Sequence, residues 1–346
     1  MLYATTRSKN DVYTAHKVIH HDCAGDGGLF LPLTLPKLDA EAISALQHKS
    51  FGQNMADILN IFFSCGLTGL DLEFAIGRNP VQVVGLNNRL VVAEAWHNSH
   101  WKFDYIVQSI SDQMRKEEQR QIPGNWVNVA VRIATIFAIY GSLLANGQVS
   151  VNLPLDIAVT AGDFATPIAA WYSRQMGLPV GNIIIGCNVN GAAWELLHRG
   201  QLNTSATAVK TCTPESDFVI PRNLERLIHV TMGQEETDRF SQCCHTGSTY
   251  IADEQTVQKL REGMFASVIS DNRVRSVIIN VYRNSGYILS PYAALAHGSL
   301  SDYRSKTGES RTALLLSERS PVRDDSFVAH CMDISVPELE KLLNLA

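Results

Sequence analysis

Apolar positions along the chain fall into two periods, and the clearest case runs from Asp156 to Gly191. Ile157 to Val159 and Ile183 to Ile185 are short, β-branched runs that read as buried strands. Between them lies A-T-P-I-A-A-W-Y-S-R-Q-M, where Pro167 suits a first helical turn, and Gly177 and Pro179 form a helix stop. The pattern predicts a strand–loop–helix–strand unit, the βαβ crossover of a parallel sheet. Ligands of such sheets sit beyond the carboxyl ends of the strands, here the loops 160–166 and 187–191.

The same reading extends over the rest of the chain. Asp39 is expected to cap a helix over 40–48, and Met55, Ile58, Leu59, Phe62 and Phe63 mark the buried face of a helix over 52–64. A helix is expected over 71–76. Apolar runs over 81–86 and 89–95, with Asn87-Asn88 between them, predict a hairpin. An amphipathic helix is expected over 106–119, its charges forming a solvated face, and Pro123-Gly124 breaks the chain after it. Residues 127–144 form a long apolar helix that carries a single cation, Arg132. Further helices are expected over 193–198, 224–230, 254–267 (capped by Asp253), 292–299 and 337–345, with helix or strand over 273–282 and a buried strand over 312–316. Alternating strands and helices imply an α/β fold, a mostly parallel open sheet flanked by helices. The segments divide into 1–88, 89–126 and 127–346.

Composition narrows the function. The chain has 346 residues, 45% of them hydrophobic, with a net charge of −5. That balance argues against nucleic acid as a partner, which would favour a basic face. No run of about 18 uncharged apolar residues occurs, so no membrane span is expected. Residues 1–10 lack the apolar core of a signal peptide, which points to a cytoplasmic protein. Seven cysteines without regular spacing read as reduced thiols. Cys243-Cys244-His245 lacks the paired spacing of a structural zinc site and reads as a surface loop. His16 and His20 share a helix face near Cys23, but this reads as solvated surface, so no metal site is assigned.

A series of motifs then points to a family. T-R-S-K…D-G-G-L-F-L-P, A-E-A-W-H, N-V-A-V-R-I-A-T-I-F-A-I-Y, T-A-G-D-F-A…M-G-L-P-V-G…N-V-N-G, T-P-E-S-D-F-V-I-P-R-N-L-E-R-L, G-Y-I-L-S-P-Y-A-A-L and L-L-L-S-E-R-S-P-V occur in that order. In sequence and order they resemble the threonine synthases, pyridoxal-phosphate enzymes of the tryptophan-synthase-β fold type that convert O-phosphohomoserine to threonine. The resemblance implies a cofactor phosphate loop at Gly162, Asp163, Phe164 and Ala165, cofactor contacts from Asn188, Ser317 and Glu318, and substrate contacts from His97, Asn128 and Arg132.

Four departures fall on the chemistry. The family's Schiff-base lysine aligns with Asp104, which has no amine, and the nearest substitute is Lys102. The segment that follows that lysine in the family is much shorter here, implying a reduced small lobe. Asp163 puts a carboxylate into a loop that should hold an anion, and Ala165 replaces a glycine of that loop. Glu318 stands at a threonine position near the pyridine nitrogen. Asp217, Glu225 and Arg226 keep family positions and read as residues that hold loops together. Trp96, Trp101 and Trp126 are large enough to fill a vacated cofactor pocket.

The leading expectation is a threonine-synthase-like protein that has lost pyridoxal-phosphate chemistry and binds no cofactor. It would serve as a metabolite-binding or interaction protein, with a small anionic metabolite meeting Arg132, since a guanidinium in an apolar helix needs an anionic partner. A second expectation is a diverged pyridoxal-phosphate lyase using Lys102. A third is a self-associating homologue that covers its exposed apolar faces as a homo-oligomer.

Overall fold

The fold is taken from a computed structural model; the residues described are 1–8, 10–78, 80–96, 109–114, 125–151 and 153–343. In chain order, β1 (Leu2–Thr5), β2 (Tyr13–Thr14), α1 (Ala15–His20) and β3 (Phe30–Pro32) open the chain, β1 pairing antiparallel with both β2 and β3. Helices α2 (Ala40–Ala45), α3 (Phe51–Phe63) and α4 (Gly69–Ile76) follow. Asp39 caps α2 by accepting from the Ala42 amide, and all five apolar residues expected on the inner face of α3 are buried.

The hairpin β4 (Gln82–Asn87) and β5 (Leu90–Glu94) turns at Asn88-Arg89, one residue later than its Asn-Asn pair suggests. After it comes α5 (Asn125–Ala145), the long helix that carries Arg132. It is long and apolar enough to cross a membrane, but 89% of that apolar window is buried inside the fold. The predicted βαβ unit is β6 (Leu155–Thr160), α6 (Ala165–Gln175) and β7 (Val180–Cys187), with β6 and β7 parallel.

Then come α7 (Ala192–Arg199), β8 (Gln201–Asn203), α8 (Leu224–Met232), α9 (Gln234–Thr246), β9 (Thr249–Ile251) and α10 (Glu254–Arg261). The chain ends with β10 (Met264–Val268), α11 (Asp271–Ser285), α12 (Pro291–Thr307), β11 (Ala313–Ser317), α13 (Asp325–Met332) and α14 (Val336–Leu342).

The central sheet has the order β10-β7-β6-β11-β5-β4. All neighbours are parallel except the β4–β5 hairpin at the edge. Side chains along the inner strands alternate between two cores, as a period of 2 requires. Ile157, Val159, Ile183, Ile185, Leu314 and Leu316 face the core that includes α3, α5 and α6. Ala158, Ile184, Ala313 and Leu315 face the core built on α11 and α12. Gly186 lets α12 lie directly on the sheet, because a Cβ there would come within 2.3 Å of the Leu295 backbone.

Several expectations need correction. The helix expected over 254–267 stops at Arg261, and Gly263 with φ +68° turns the chain into β10, the sheet edge. Its Met-Phe-Ala-Ser-Val run holds too few β-branched residues to separate it from helix by pattern. Cys243, Cys244 and His245 form the last turn of α9 rather than a loop, since Gly247 closes a helix whose polarity hid its period. Residues of all three segments, 1–88, 89–126 and 127–346, contribute to the core around α3, α5 and α6, and the 88/89 boundary falls in the β4–β5 turn. Residues 89–96 supply β5 to the main sheet; of the helix expected over 106–119, residues 109–114 are described and helical, with Ile110 and Met114 in the core, while 97–108 and 115–124, and with them most of the expected reduced lobe, lie outside the described residues.

His297 on α12 carries a buried Nδ1 with no hydrogen-bond partner, and burial, aided by Arg304, lowers its pKa to about 4. The unfolded chain protonates this imidazole near its ordinary value of roughly 6.5. The native state disfavours the proton, so the associated stability is present above about pH 6.5 and is lost as pH falls through about 4. The difference is about 3 kcal/mol. His297→Phe is expected to flatten the acid limb of the stability–pH curve by this amount, measured by urea unfolding from pH 7 to pH 4; an unchanged slope would remove His297 from the acid response.

Candidate functional site

Two central strands send their chains apart beyond their carboxyl ends. From β6 the chain crosses to β7 on one side, while on its other side β6 pairs with β11. Such a divergence opens a crevice. A cavity of about 310 Å³ lies there, and its described lining includes Asn128, Arg132, Gly162, Asp163, Glu318 and Tyr292.

Arg132 is the centre of the cavity wall. Its backbone sits in α5 and its side chain is nearly buried, 7% exposed. A guanidinium cannot shed its proton at neutral pH, so it requires acceptors. Nε donates to Thr166 Oγ1 at 2.9 Å, Nη1 to the Asn128 carbonyl at 3.4 Å, and Nη2 to Glu318 Oε2 at 3.4 Å. Thr166 Oγ1 in turn donates to Glu318 Oε1 at 2.5 Å. Because the hydroxyl accepts from the guanidinium, its own proton goes to the carboxylate, and the three side chains close a ring. Each member comes from a different element: α5, the first turn of α6, and the end of β11.

The loop between β6 and α6 is held by the chain itself. The Ala161 amide donates to the Gly186 carbonyl at 2.9 Å, and the Phe164 amide to the Ala161 carbonyl at 2.8 Å. The Ala165 amide donates to Asp163 Oδ1 at 2.9 Å, so this carboxylate, one residue before the N-cap Phe164, satisfies the first amide of α6 and meets the positive end of the helix. Asn223 clamps the same residue, its amide donating to the Asp163 carbonyl at 3.1 Å and its side chain to Oδ2 at 3.2 Å. The left-handed backbone falls on Gly162 (φ +48°) and Phe164 (φ +70°), not on Ala165, which opens the helix. The freedom lost by placing alanine at 165 is therefore not one this loop uses. Phe164 stays in the strained region because its ring is wholly buried in the core.

A second charged group closes the far wall. Arg319 pairs with Asp324 through Nε at 2.9 Å and Nη2 at 3.0 Å, contacts Glu215 at 2.5 Å, and lies over the Tyr292 ring at 4.7 Å. Burial alone would lower the Arg319 pKa, but Glu215 and Asp324 outweigh it and raise it. Burial pushes Tyr292 up to about 12, so its phenol stays protonated at neutral pH.

The sequence-predicted residues do not all meet. Asn128, Arg132, Gly162, Asp163 and Glu318 line the cavity; Phe164 and Ala165 are buried beside it. Asn188 is drawn into a separate network, donating to Asp217 Oδ1 at 2.7 Å and to Thr211 and Thr213 at 3.2 Å each, and it borders a smaller neighbouring cavity. Ser317 is buried and accepts from Trp96 Nε1 at 3.0 Å. His97, Lys102, Asp104 and Trp101 lie outside the described residues. Neither remaining tryptophan lines the cavity: Trp96 donates its indole N–H to Ser317 Oγ, and Trp126 is sealed in the core against Tyr3, Phe62 and Tyr172.

Sequence reading passed over Thr166, Glu215, Tyr292 and Arg319. Thr166 was findable, since the buried Arg132 demanded acceptors and a threonine in the facing helix turn supplies one.

The loop-holding residues act at a distance from the cavity. Asp217 also accepts from Asn190 Nδ2 at 3.0 Å and Thr211 Oγ1 at 2.7 Å. Glu225 takes a two-pronged bond from Arg7 at 3.0 and 2.8 Å. Arg226 is fully buried, donates twice to the Phe30 carbonyl, and lies 5.4 Å from the Trp126 ring. Glu225 and Arg226 thus fasten the N-terminal segment to α8, while Asp217 ties the 211–217 loop to the end of β7.

Comparisons with known proteins agree with this architecture. The threonine synthase N terminus family matches residues 2–78. Threonine synthase-like 1 of Homo sapiens is 27% identical over 176 residues, half of this chain and 24% of that protein. Threonine synthase of Pseudomonas aeruginosa is 26% identical over 199 residues, 56% of this chain and 41% of that one. The matched regions thus span between a quarter and two-fifths of these relatives. In fold, the chain superposes on the pyridoxal-phosphate-bound threonine synthase of Brucella melitensis with a TM-score of 0.86 at 18% identity, covering 99% of this chain and 94% of the other. The yeast threonine synthase gives a TM-score of 0.84 at 17% identity.

Thr166→Val removes both charged hydrogen bonds of the ring while keeping its shape. It is expected to lower unfolding stability by about 2–3 kcal/mol, whereas Thr166→Ser should cost less than about 1 kcal/mol. Denaturant unfolding of the two variants tests this, and a Thr166→Val protein as stable as the native one would show that the ring does not hold the wall.

Proposed function

From a chain that belongs to the threonine synthase family, we propose a threonine-synthase-like protein without pyridoxal-phosphate chemistry, whose cavity persists as a small-molecule binding pocket. The observation that carries this reading is the state of the phosphate loop. Pyridoxal phosphate needs free backbone N–H donors for its dianionic phosphate. Here the Ala161, Phe164 and Ala165 amides are spent on the chain's own acceptors, and the Ala165 donor is taken by a carboxylate. Asp163 occupies the helix N-terminus with the charge sign that a phosphate would bring. Two like charges at 4 Å repel by about 4 kcal/mol at an effective dielectric of 20. The Asp163 carboxylate and the committed Ala161, Phe164 and Ala165 amides are what count against the group here.

The cavity nevertheless keeps the concave shape and convergent polar groups of a ligand site. Asn128 Oδ1 is a buried acceptor on its wall without a hydrogen-bond partner, which suits a ligand that donates. Binding without chemistry is the function these features support best.

A second reading, an active lyase using Lys102, is favoured by the close fold likeness to a pyridoxal-phosphate-bound threonine synthase. One experiment separates the two. The purified protein is incubated with pyridoxal phosphate, reduced with borohydride and digested for peptide mapping. The proposal expects no new absorbance band and no pyridoxyl-labelled peptide. A stoichiometric label on Lys102 would establish the lyase reading and end the first.

A further inference from the structure

We propose that the groove between the β4–β5 hairpin and helices α11 and α12 is a second binding site, and that it takes a neutral polyhydroxylated molecule of the sugar class. The groove belongs to a different part of the chain from the first cavity and does not rest on the reading of that cavity.

Its volume is about 550 Å³, against about 310 Å³ for the first cavity, and the two share none of their described lining residues. Small-molecule pockets commonly fall between about 300 and 1,000 Å³. Leu90, on the groove floor, is the first residue of β5, so the groove lies at the amino end of that strand, whereas the first cavity lies beyond carboxyl ends. Helix α11 lines it with Ser276, Asn280 and Asn284, which share one face at a spacing of four.

The lining sets the ligand class in three ways. The first is charge. Arg273 is the only charged residue of the described lining, and the Asp302 carboxylate meets it twice, through Nη1 at 2.8 Å and through Nη2. His297 is uncharged at neutral pH, since burial lowers its pKa to about 4. An ionised ligand would lose hydration here and meet a cation that Asp302 already neutralises.

The second is the direction of the hydrogen bonds. Ser276 Oγ donates to the Asn272 carbonyl at 3.0 Å, and Ser301 Oγ on the facing helix donates to the His297 carbonyl at 3.1 Å. A hydroxyl has one proton, so both oxygens can only accept from a ligand. Asn280 and Asn284 are exposed, and each carboxamide offers donors as well as an acceptor. A ligand that donates to the serines and both donates and accepts at the asparagines carries several hydroxyls.

The third is the floor. Leu90 and Val281 are buried, 2% and 7% exposed, with Leu86 and Val277 beside them. This apolar strip suits the C–H face of a sugar ring. A pure hydrocarbon would cover the same strip but leave the amides and hydroxyls above it without partners.

Glucose, galactose and mannose are the probes, each with its uronate, and binding to the native protein is followed by saturation-transfer NMR and calorimetric titration. At least one neutral sugar should bind saturably. Its uronate, which adds one negative charge to the same ring, should bind about tenfold more weakly or worse. The double variant Asn280→Ala/Asn284→Ala should bind the neutral sugar about tenfold more weakly, the loss expected for two neutral hydrogen bonds.

No saturable binding of any of the three sugars to the native protein would overturn the proposal, and this arm needs no variant to fold. A uronate that binds as tightly as its neutral sugar would overturn the ligand class. Undiminished binding by a double variant that melts as the native protein does would place the sugar elsewhere and overturn the site. A pyridoxyl label on Lys102 would sink the preceding reading without altering any of these outcomes.

Discussion

A guanidinium inside an apolar helix constrains everything near it. Arg132 sits on α5, between residues that are almost all buried, and it cannot lose its charge. An unpaired charge in that position would destabilise the fold by several kcal/mol. The chain answers with acceptors from two other elements, the Thr166 hydroxyl from the first turn of α6 and the Glu318 carboxylate from the end of β11. Satisfying one side chain thereby ties α5 to the βαβ unit and to the central strand. It also decides the character of the cavity, because the group that stabilises the fold is the group a ligand would otherwise meet.

The second anion position follows the same logic. A helix N-terminus leaves amides without partners, and an external phosphate is one way to satisfy them. In this chain Asp163 does so internally, with Asn223 holding it from the start of α8. Both cationic features of the pocket are thus met by carboxylates of the chain itself. Arg319 repeats the pattern with Glu215 and Asp324. The scaffold underneath is undisturbed: parallel strands between two helix layers, with Gly186 allowing α12 to press on the sheet.

Much of this was readable from residues alone. The β6–α6–β7 unit, the buried face of α3 and the course of α5 follow from periodicity, since each buries a continuous apolar face. Strand β10 and helix α9 did not, because an edge strand of mixed residues and a polar helix carry weak periodic signals. The need of Arg132 for an anion was legible, but its identity was not: Glu318 is 186 positions away in sequence, and only the meeting of β6 with β11 brings it near. Asp163 was read as a charge opposing a bound anion. Its bond to the Ala165 amide accompanies a left-handed turn at Phe164, which no local pattern announces for an aromatic residue.

The central claim is that Arg132 and Glu318 stabilise each other inside the protein. A double-mutant cycle with Arg132→Met and Glu318→Gln, read from urea unfolding at pH 7, measures that coupling most directly. The account predicts a coupling free energy of about 1.5 kcal/mol or more, as found for well-anchored charge pairs with a shared hydrogen-bond partner. A coupling within about 0.3 kcal/mol of zero would mean that the two side chains act independently and that Glu318 is not the anion of Arg132.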